Sequence, residues 1–238
     1  MTTISERLQA VKASINAAAI ANGRYPDTVQ LLAVSKAHPA GKIREVFTAG
    51  QRLFGENYLQ EALDKQTQLT DLDIEWHFIG PIQSNKTQPI AQHFAWVHSV
   101  DRLKIAERLN AARPDNMLPL EVCIQVNVSG EASKSGVPAE EVTPLAEAIL
   151  RLPRLRLRGL MSIPAPVSDV ALQRRHFRRV REAFENLRQQ LPDARNLDTL
   201  SIGMSEDYPA AIAEGATIVR IGSAIFGARP PKLKEQAT

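Results

Sequence analysis

Short apolar runs alternate with helical stripes along almost the whole chain. Residues 1–23 read as a helix. Ile4, Leu8, Val11, Ile15 and Ala19 recur at spacings of three and four, which marks one face of a 3.6-residue period. Asn22-Gly23 then supplies residues that tolerate the left-handed backbone at a helix end. Eight strand candidates follow, at 31–35, 52–55, 75–79, 96–99, 121–128, 156–161, 199–202 and 218–221. Several are continuous apolar runs, as expected of strands covered on both faces. Helical patterns separate them. Ile43, Val46 and Phe47 form the first, and Leu59, Leu63 and Leu69 the second. A weak one surrounds Pro89–His93. Ile105 and Leu109 mark the fourth, and Val142, Leu145, Ala146 and Ile149 the fifth. Phe177, Val180, Phe184, Leu187 and Leu191 give the clearest stripe.

Eight strands with interleaved helices predict a parallel (β/α)8 TIM barrel in the α/β class, preceded by one extra helix. A doubly wound open sheet would share the alternation. The count of eight and a length of 238 residues favour closure into a single domain spanning 1–238, with 228–238 as a C-terminal tail.

Composition narrows the function classes. Hydrophobic residues are 44% and charged residues 23%, as in soluble globular proteins. A net charge of +3 does not by itself imply nucleic acid. Aromatics at 5% are too few for a base-stacking platform. Arg174, Arg175, Arg178, Arg179 and Arg181 flank an apolar stripe and read as the wet side of its helix. Cys123 is the one cysteine, which excludes a disulfide framework and suits a reducing interior. The five histidines show no paired ligand spacing, so no metal site is expected. Residues 1–22 lack an unbroken apolar segment, and no run approaches the ~18 residues of a membrane span. A cytoplasmic protein without membrane contact is expected.

Candidate chemistry starts at Lys36, at the end of the first apolar run. Desolvation there would disfavour the ammonium, and a neutral amine can attack an aldehyde to form a Schiff base. In a barrel of this kind the active site lies at the carboxyl ends of the strands, and phosphate is often held after strands seven and eight. The loop after the seventh run holds Ser201, Ile202, Gly203, Met204 and Ser205, with Ser205 as the expected cap of the next helix. The eighth run ends in Gly222 and Ser223 and contains Arg220, whose guanidinium needs an acceptor. That acceptor is either a carboxylate partner or a ligand phosphate or ring nitrogen. Asn57 and His77 add polar groups near neighbouring strand ends. Residues and spacing alone lead to a phosphate-bearing aldehyde in a barrel.

Seven ordered segments carry a resemblance: AVSKAHP at 33–39, FGENYLQE at 54–61, WHFIGPIQSNK at 76–86, NVSGEASKSG at 127–136, GLMSIP at 159–164, SIGMSEDYPAAI at 201–212 and VRIGSAIFG at 219–227. Through nearly its whole length the chain resembles the pyridoxal phosphate homeostasis proteins, which are related to the N-terminal domain of alanine racemase. Ile202 and Ser223 stand where methionine and threonine are frequent in that family. The resemblance implies a fold type III barrel with pyridoxal 5′-phosphate (PLP) held as a Schiff base on Lys36. It implies phosphate contacts from Ser201, Gly203, Met204, Ser205, Gly222 and Ser223, and Arg220 facing the ring nitrogen. Asn57, His77 and Met161 would line the ring pocket. It further implies a monomeric PLP carrier, with no catalytic residues, that supplies apo-enzymes. The alternative is a small PLP-dependent racemase or decarboxylase, although the tyrosine-bearing second domain of the racemases has no counterpart before Thr238. Lys134, Lys232 and Lys234 are candidates for a second PLP attachment.

Overall fold

The computed structural model describes residues 2–128, 135–191 and 194–228. Lys134, Lys232, Lys234 and residues 229–238 of the expected tail lie outside them. Among the described residues the strands are β1 (Gln30–Val34), β2 (Leu53–Glu56), β3 (Glu75–Phe78), β4 (Trp96–Val100), β5 (Leu120–Gln125), β6 (Leu155–Met161), β7 (Thr199–Met204) and β8 (Ile218–Ile221). All neighbours pair in parallel, and β1 closes on β8 with Gln30 opposite Ile218 and Ala33 opposite Ile221. The architecture is a closed eight-stranded barrel, as the alternation predicts.

The helices between the strands are α2 (Ala40–Thr48), α3 (Leu59–Gln68), α4 (Thr87–His93), α5 (Leu103–Ala112), α6 (Val142–Leu150), α7 (Val170–Gln190) and α8 (Tyr208–Ala213). Among the described residues β8 is followed by the four-residue α9 (Ser223–Phe226), which is too short to cover the adjacent wall. The leading helix, α1 (Ile4–Ala21), fills that gap. It packs against α2, α8 and α9 through the apolar face read from the sequence. Thr3 and Glu6 form a reciprocal capping box at its start. Arg7 then donates to the Ile225 carbonyl at 2.8 Å, and Arg24 to the Ile212 carbonyl at 2.9 Å.

The largest apolar cluster lies between sheet and helices, with Phe54, Phe78, Phe94 and Phe177 at its centre. Each such side chain contributes roughly 1.5–3 kcal/mol by leaving water. The barrel interior is different. It holds a small apolar group of Leu32, Val34, Ile79 and Ile218 and another of Trp96, Cys123 and Met161. Buried polar side chains from β3, β4, β7 and β8 share that interior.

One helix face departs from its sequence reading. Leu59, Leu63 and Leu69 predict the buried stripe of α3, but its buried positions are Ala62 and Lys65, with Leu69 just beyond. A lysine takes a core position because it finds two carboxylates there.

Candidate functional site

Lys36 lies just past β1 in a tight turn, closed by the His38 N–H donating to the Ser35 carbonyl at 3.0 Å. Ala37 has φ of +63° and is the one non-glycine residue with positive φ among the described residues. That conformation costs alanine roughly 1–2 kcal/mol, so the surroundings must enforce it. Three charged residues do so. The Ala37 N–H donates to Glu61 Oε1 at 2.6 Å, and the Ser35 hydroxyl to Glu56 Oε1 at 2.6 Å. Lys65 Nζ donates to the Ser35 carbonyl at 2.8 Å, to Glu56 Oε1 at 2.7 Å and to Glu61. Glu56 and Lys65 are buried, and burial pushes the Glu56 carboxyl above its ordinary range despite the lysine beside it. His38 stacks on Phe226 of α9, with ring centroids 5.0 Å apart.

The turns after β7 and β8 are shaped by backbone. Ser201 pairs with Ile218 and Met204 with Arg220, so β7 carries an extra residue against β8. Gly203 sits there with φ of +91°, and a Cβ on it would lie 2.6 Å from the Ala211 Cβ of α8. Only glycine fits both the conformation and that approach. Ser205 does not cap α8, as the sequence predicts it should. Asp207 occupies the cap position, and its carboxylate accepts the Met204 N–H at 2.5 Å, which shortens the turn and delays the helix start. Ser205 is released from that role, and its hydroxyl meets that of Ser223 at 3.3 Å. The two turns therefore touch. A Cβ on Gly222 would press to 2.9 Å from the Val34 carbonyl, which brings this turn directly against the strand leading to Lys36.

Arg220 is 4% exposed. Its Nη1 donates to the Ser201 carbonyl and, at 2.9 Å, to the Ser201 hydroxyl, while Nη2 donates to the Ser162 carbonyl at 2.9 Å. The partners are thus neutral oxygens rather than a bonded carboxylate, although Asp207 lies near enough to favour the cation. Burial pulls the guanidinium down to about 10, so it remains charged at neutral pH.

These parts enclose a cavity of about 280 Å³ at the carboxyl ends of the strands. Lys36, Asn57 and Arg220 line it together with Met204, Ser205, Gly222 and Ser223. Seven residues singled out in the sequence thus share one cavity. Four others do not line it. Gly203 shapes its turn from behind, and Ser201 points its hydroxyl to Arg220 and His98. Met161 packs with Trp96 and Cys123. His77 is buried between Glu75 and His98 and stacks on Trp96, with centroids 5.3 Å apart, so the expectation that it lines the ring pocket is corrected. The sequence reading missed Glu56, Glu61 and Lys65. Its one signal was the Glu61–Lys65 spacing of four, which elsewhere means a solvated pair.

The cavity fits an anionic aldehyde cofactor. An amine and two small-residue turns line it together, and among the described residues Asn57 Oδ1 is a buried acceptor with no partner. Among the described residues no cluster of histidine, cysteine and acidic side chains could hold a metal ion, and no helix is long and apolar enough to cross a membrane.

A parallel barrel with a lysine at the end of its first strand and small-residue turns after the last two defines a class. Comparison places the chain within it. Residues 7–230 match the family described as alanine racemase, N-terminal domain, and the chain belongs to that family. It is 61% identical over 229 residues to the pyridoxal phosphate homeostasis protein of Pseudomonas aeruginosa, covering 96% of this chain and 97% of that one. The protein of the same name from Escherichia coli K12 is 53% identical over 232 residues, covering 96% and 98%. The structure of PipY from Synechococcus elongatus with PLP bound superposes with a TM-score of 0.83 at 39% identity, covering 94% of this chain and all of that one.

Proposed function

We propose that this protein binds PLP on Lys36 as a Schiff base and serves PLP homeostasis, holding the reactive aldehyde and supplying it to apo-enzymes. The observation that carries this reading is the shared cavity, in which Lys36 faces the touching turns at Ser205 and Ser223 with Arg220 beside them. The relatives' names and the PLP-bound PipY structure support it. Ser205, Gly222 and Ser223 would hold the phosphate, with the Met204 backbone beside them. Gly203 would keep that turn in shape, and Ser201 would hold Arg220 in place. Asn57 would use its unpartnered carbonyl, and Arg220 would face the ring nitrogen.

When bound, PLP supplies an electrophilic carbon and an electron sink, and the sink works best with its ring nitrogen protonated by an acidic partner. Arg220 is a cation and a pure donor, so it disfavours that proton. Carbanion chemistry is therefore weakened at this site, which favours the carrier reading over a small racemase or decarboxylase.

Borohydride reduction followed by peptide mass spectrometry tests the attachment. The wild type should carry one reduced adduct at Lys36, and Lys36→Ala should lose both the adduct and the visible absorption. Attachment elsewhere with Lys36 unmodified would overturn the assignment. Incubation with amino acids in deuterated water tests the carrier reading. Rapid Cα exchange that disappears in Lys36→Ala would favour an enzyme.

A further inference from the structure

The barrel interior carries an unbroken hydrogen-bonded chain from the cavity to the opposite end of the molecule. Arg220 Nη1 donates to the Ser201 hydroxyl at 2.9 Å. Ser201 Oγ lies 2.7 Å from His98 Nδ1, His98 Nε2 lies 2.9 Å from His77 Nδ1, and His77 Nε2 lies 2.9 Å from Glu75 Oε1. Ser201, His98 and His77 are fully buried or nearly so. Glu75 is not. Its side chain is 46% exposed and lines an open cavity of about 770 Å³ at the amino ends of the strands, with Trp96, Glu121, Arg158 and Asp198.

The chemistry of the end groups fixes every proton in between. A guanidinium only donates and a carboxylate only accepts, so with both imidazoles neutral Ser201 accepts from Arg220 and sends its own proton to His98 Nδ1. His98 then carries its proton on Nε2 and donates to His77 Nδ1. His77 in turn carries its proton on Nε2 and donates to the Glu75 carboxylate. Burial, aided for His98 by the neighbouring His77 and Arg220 and opposed for His77 by Glu75, lowers both imidazoles and so favours the neutral forms this arrangement requires. The charged groups acting on the chain are Arg220 from β8, Asp207 from the turn after β7, Arg158 from β6 and Glu75 itself.

We propose that Glu75, His77, His98 and Ser201 form a one-directional relay that positions the Arg220 guanidinium and ties its hydrogen bonding to the solvent-facing carboxylate at the far end of the barrel. The four are positioning residues, since none of them lines the cavity and they meet it through Arg220. Their consequence for the cofactor rests on the reading that PLP occupies the Lys36 cavity; the relay itself does not.

The test therefore starts on the protein without PLP. Long-range nitrogen–proton correlation spectra of histidine-labelled wild type should show His77 and His98 as neutral Nε2–H tautomers from about pH 7 upward. An imidazolium at either position, or an Nδ1–H tautomer at His98, would overturn the proposal. His77→Phe keeps the stack on Trp96 and removes the link. Because an orphaned buried N–H is the costlier defect, His98 should switch to its Nδ1–H tautomer and turn its proton toward Ser201. An unchanged His98 would mean independent contacts and no relay. Should His77→Phe fail to fold, Glu75→Gln at the exposed end serves instead. It should move the His77 Nε2 proton upfield and the His98 Nε2 proton with it, and a stationary His98 resonance would overturn the relay. In PLP-loaded protein, His77→Phe should shift the absorption maximum while borohydride still traps the adduct on Lys36. An unmoved maximum would overturn the link to the cofactor. A wild type that binds no PLP would defeat the carrier reading and leave the tautomer result to stand or fall alone.

Discussion

Two buried glutamates in this barrel meet opposite electrostatic fates. Glu56, at the end of β2, pairs with the Lys65 ammonium, and among the described residues its Oε2 has no hydrogen-bond partner. Burial outweighs the lysine, and the carboxyl is pushed above its ordinary range. Glu214, just after α8, is equally inaccessible, and burial pushes it up too. Arg174, Arg178 and Arg181 of α7 reach it at 2.9, 3.0 and 3.0 Å and together pull it below the ordinary range. Those arginines are the ones the sequence presents as a wet helix face. They bridge α7 to α8 while their outer surfaces stay in water. One cation beside one buried carboxylate leaves its charge incompletely offset, next to the turn that carries Lys36. Three half-exposed cations make a structural rivet whose members do not line the cavity.

The largest way to break this contrast is Lys65→Met. It strands Glu56 with no cation in a buried place, and breaking such a pair costs roughly 3–5 kcal/mol. The turn bearing Lys36 also loses its brace, so PLP retention should fall with stability. Adding Glu56→Leu should recover most of the stability but not the turn, since a well-packed apolar pair is often as stable as a buried ion pair. Urea unfolding of the single and double variants reads the first effect and borohydride trapping the second. A single variant within about 0.5 kcal/mol of wild type, in the range of ordinary surface changes, would remove the distinction.

Glu214→Gln should cost less, about 1–3 kcal/mol for hydrogen bonds to a charged acceptor. The freed arginines rehydrate, and PLP retention should not change. Smaller again is Arg178→Ala. Its side chain is half exposed and two arginines remain, so the loss by thermal or urea unfolding should be smaller than that of Glu214→Gln.

The contrast also shows what a sequence displays. The strands were legible because each is an apolar run between turn residues, and observed limits differ mostly by one or two positions. The 121–128 run is the exception. Its strand ends at Gln125, and Val126 forms only an isolated bridge to Val137. Lys36, Arg220 and the small-residue turns were legible because their residue types are costly or unusual where they stand. The bracing of Lys36 was not. Ser35, Glu56, Glu61 and Lys65 come from β1, β2 and α3, and only closure of the barrel brings them together. The Glu75 to Arg220 relay hides for the same reason. Its members come from β3, β4, β7 and β8, and each histidine alone reads as an ordinary core residue.

The smallest predicted effect is one of slope. A carboxyl whose folded pKa is raised contributes stability that is fully present below its unfolded value and is lost as pH rises through the folded one. Glu56 is such a group, so the stability of wild type relative to Glu56→Gln should decline as pH rises above about 4.5, the ordinary value for glutamate. A carboxyl whose folded pKa is lowered does the reverse, contributing stability above its unfolded value that is lost as pH falls through the folded one. Wild type relative to Glu214→Gln should therefore hold steady near neutrality and decline as pH falls below about 4.5. Urea midpoints across the acid range for the three proteins would give two difference curves of opposite sign. Parallel curves would mean that Lys65 suffices to neutralise Glu56, and that the carboxylate beside the Lys36 turn is as settled as the one between α7 and α8.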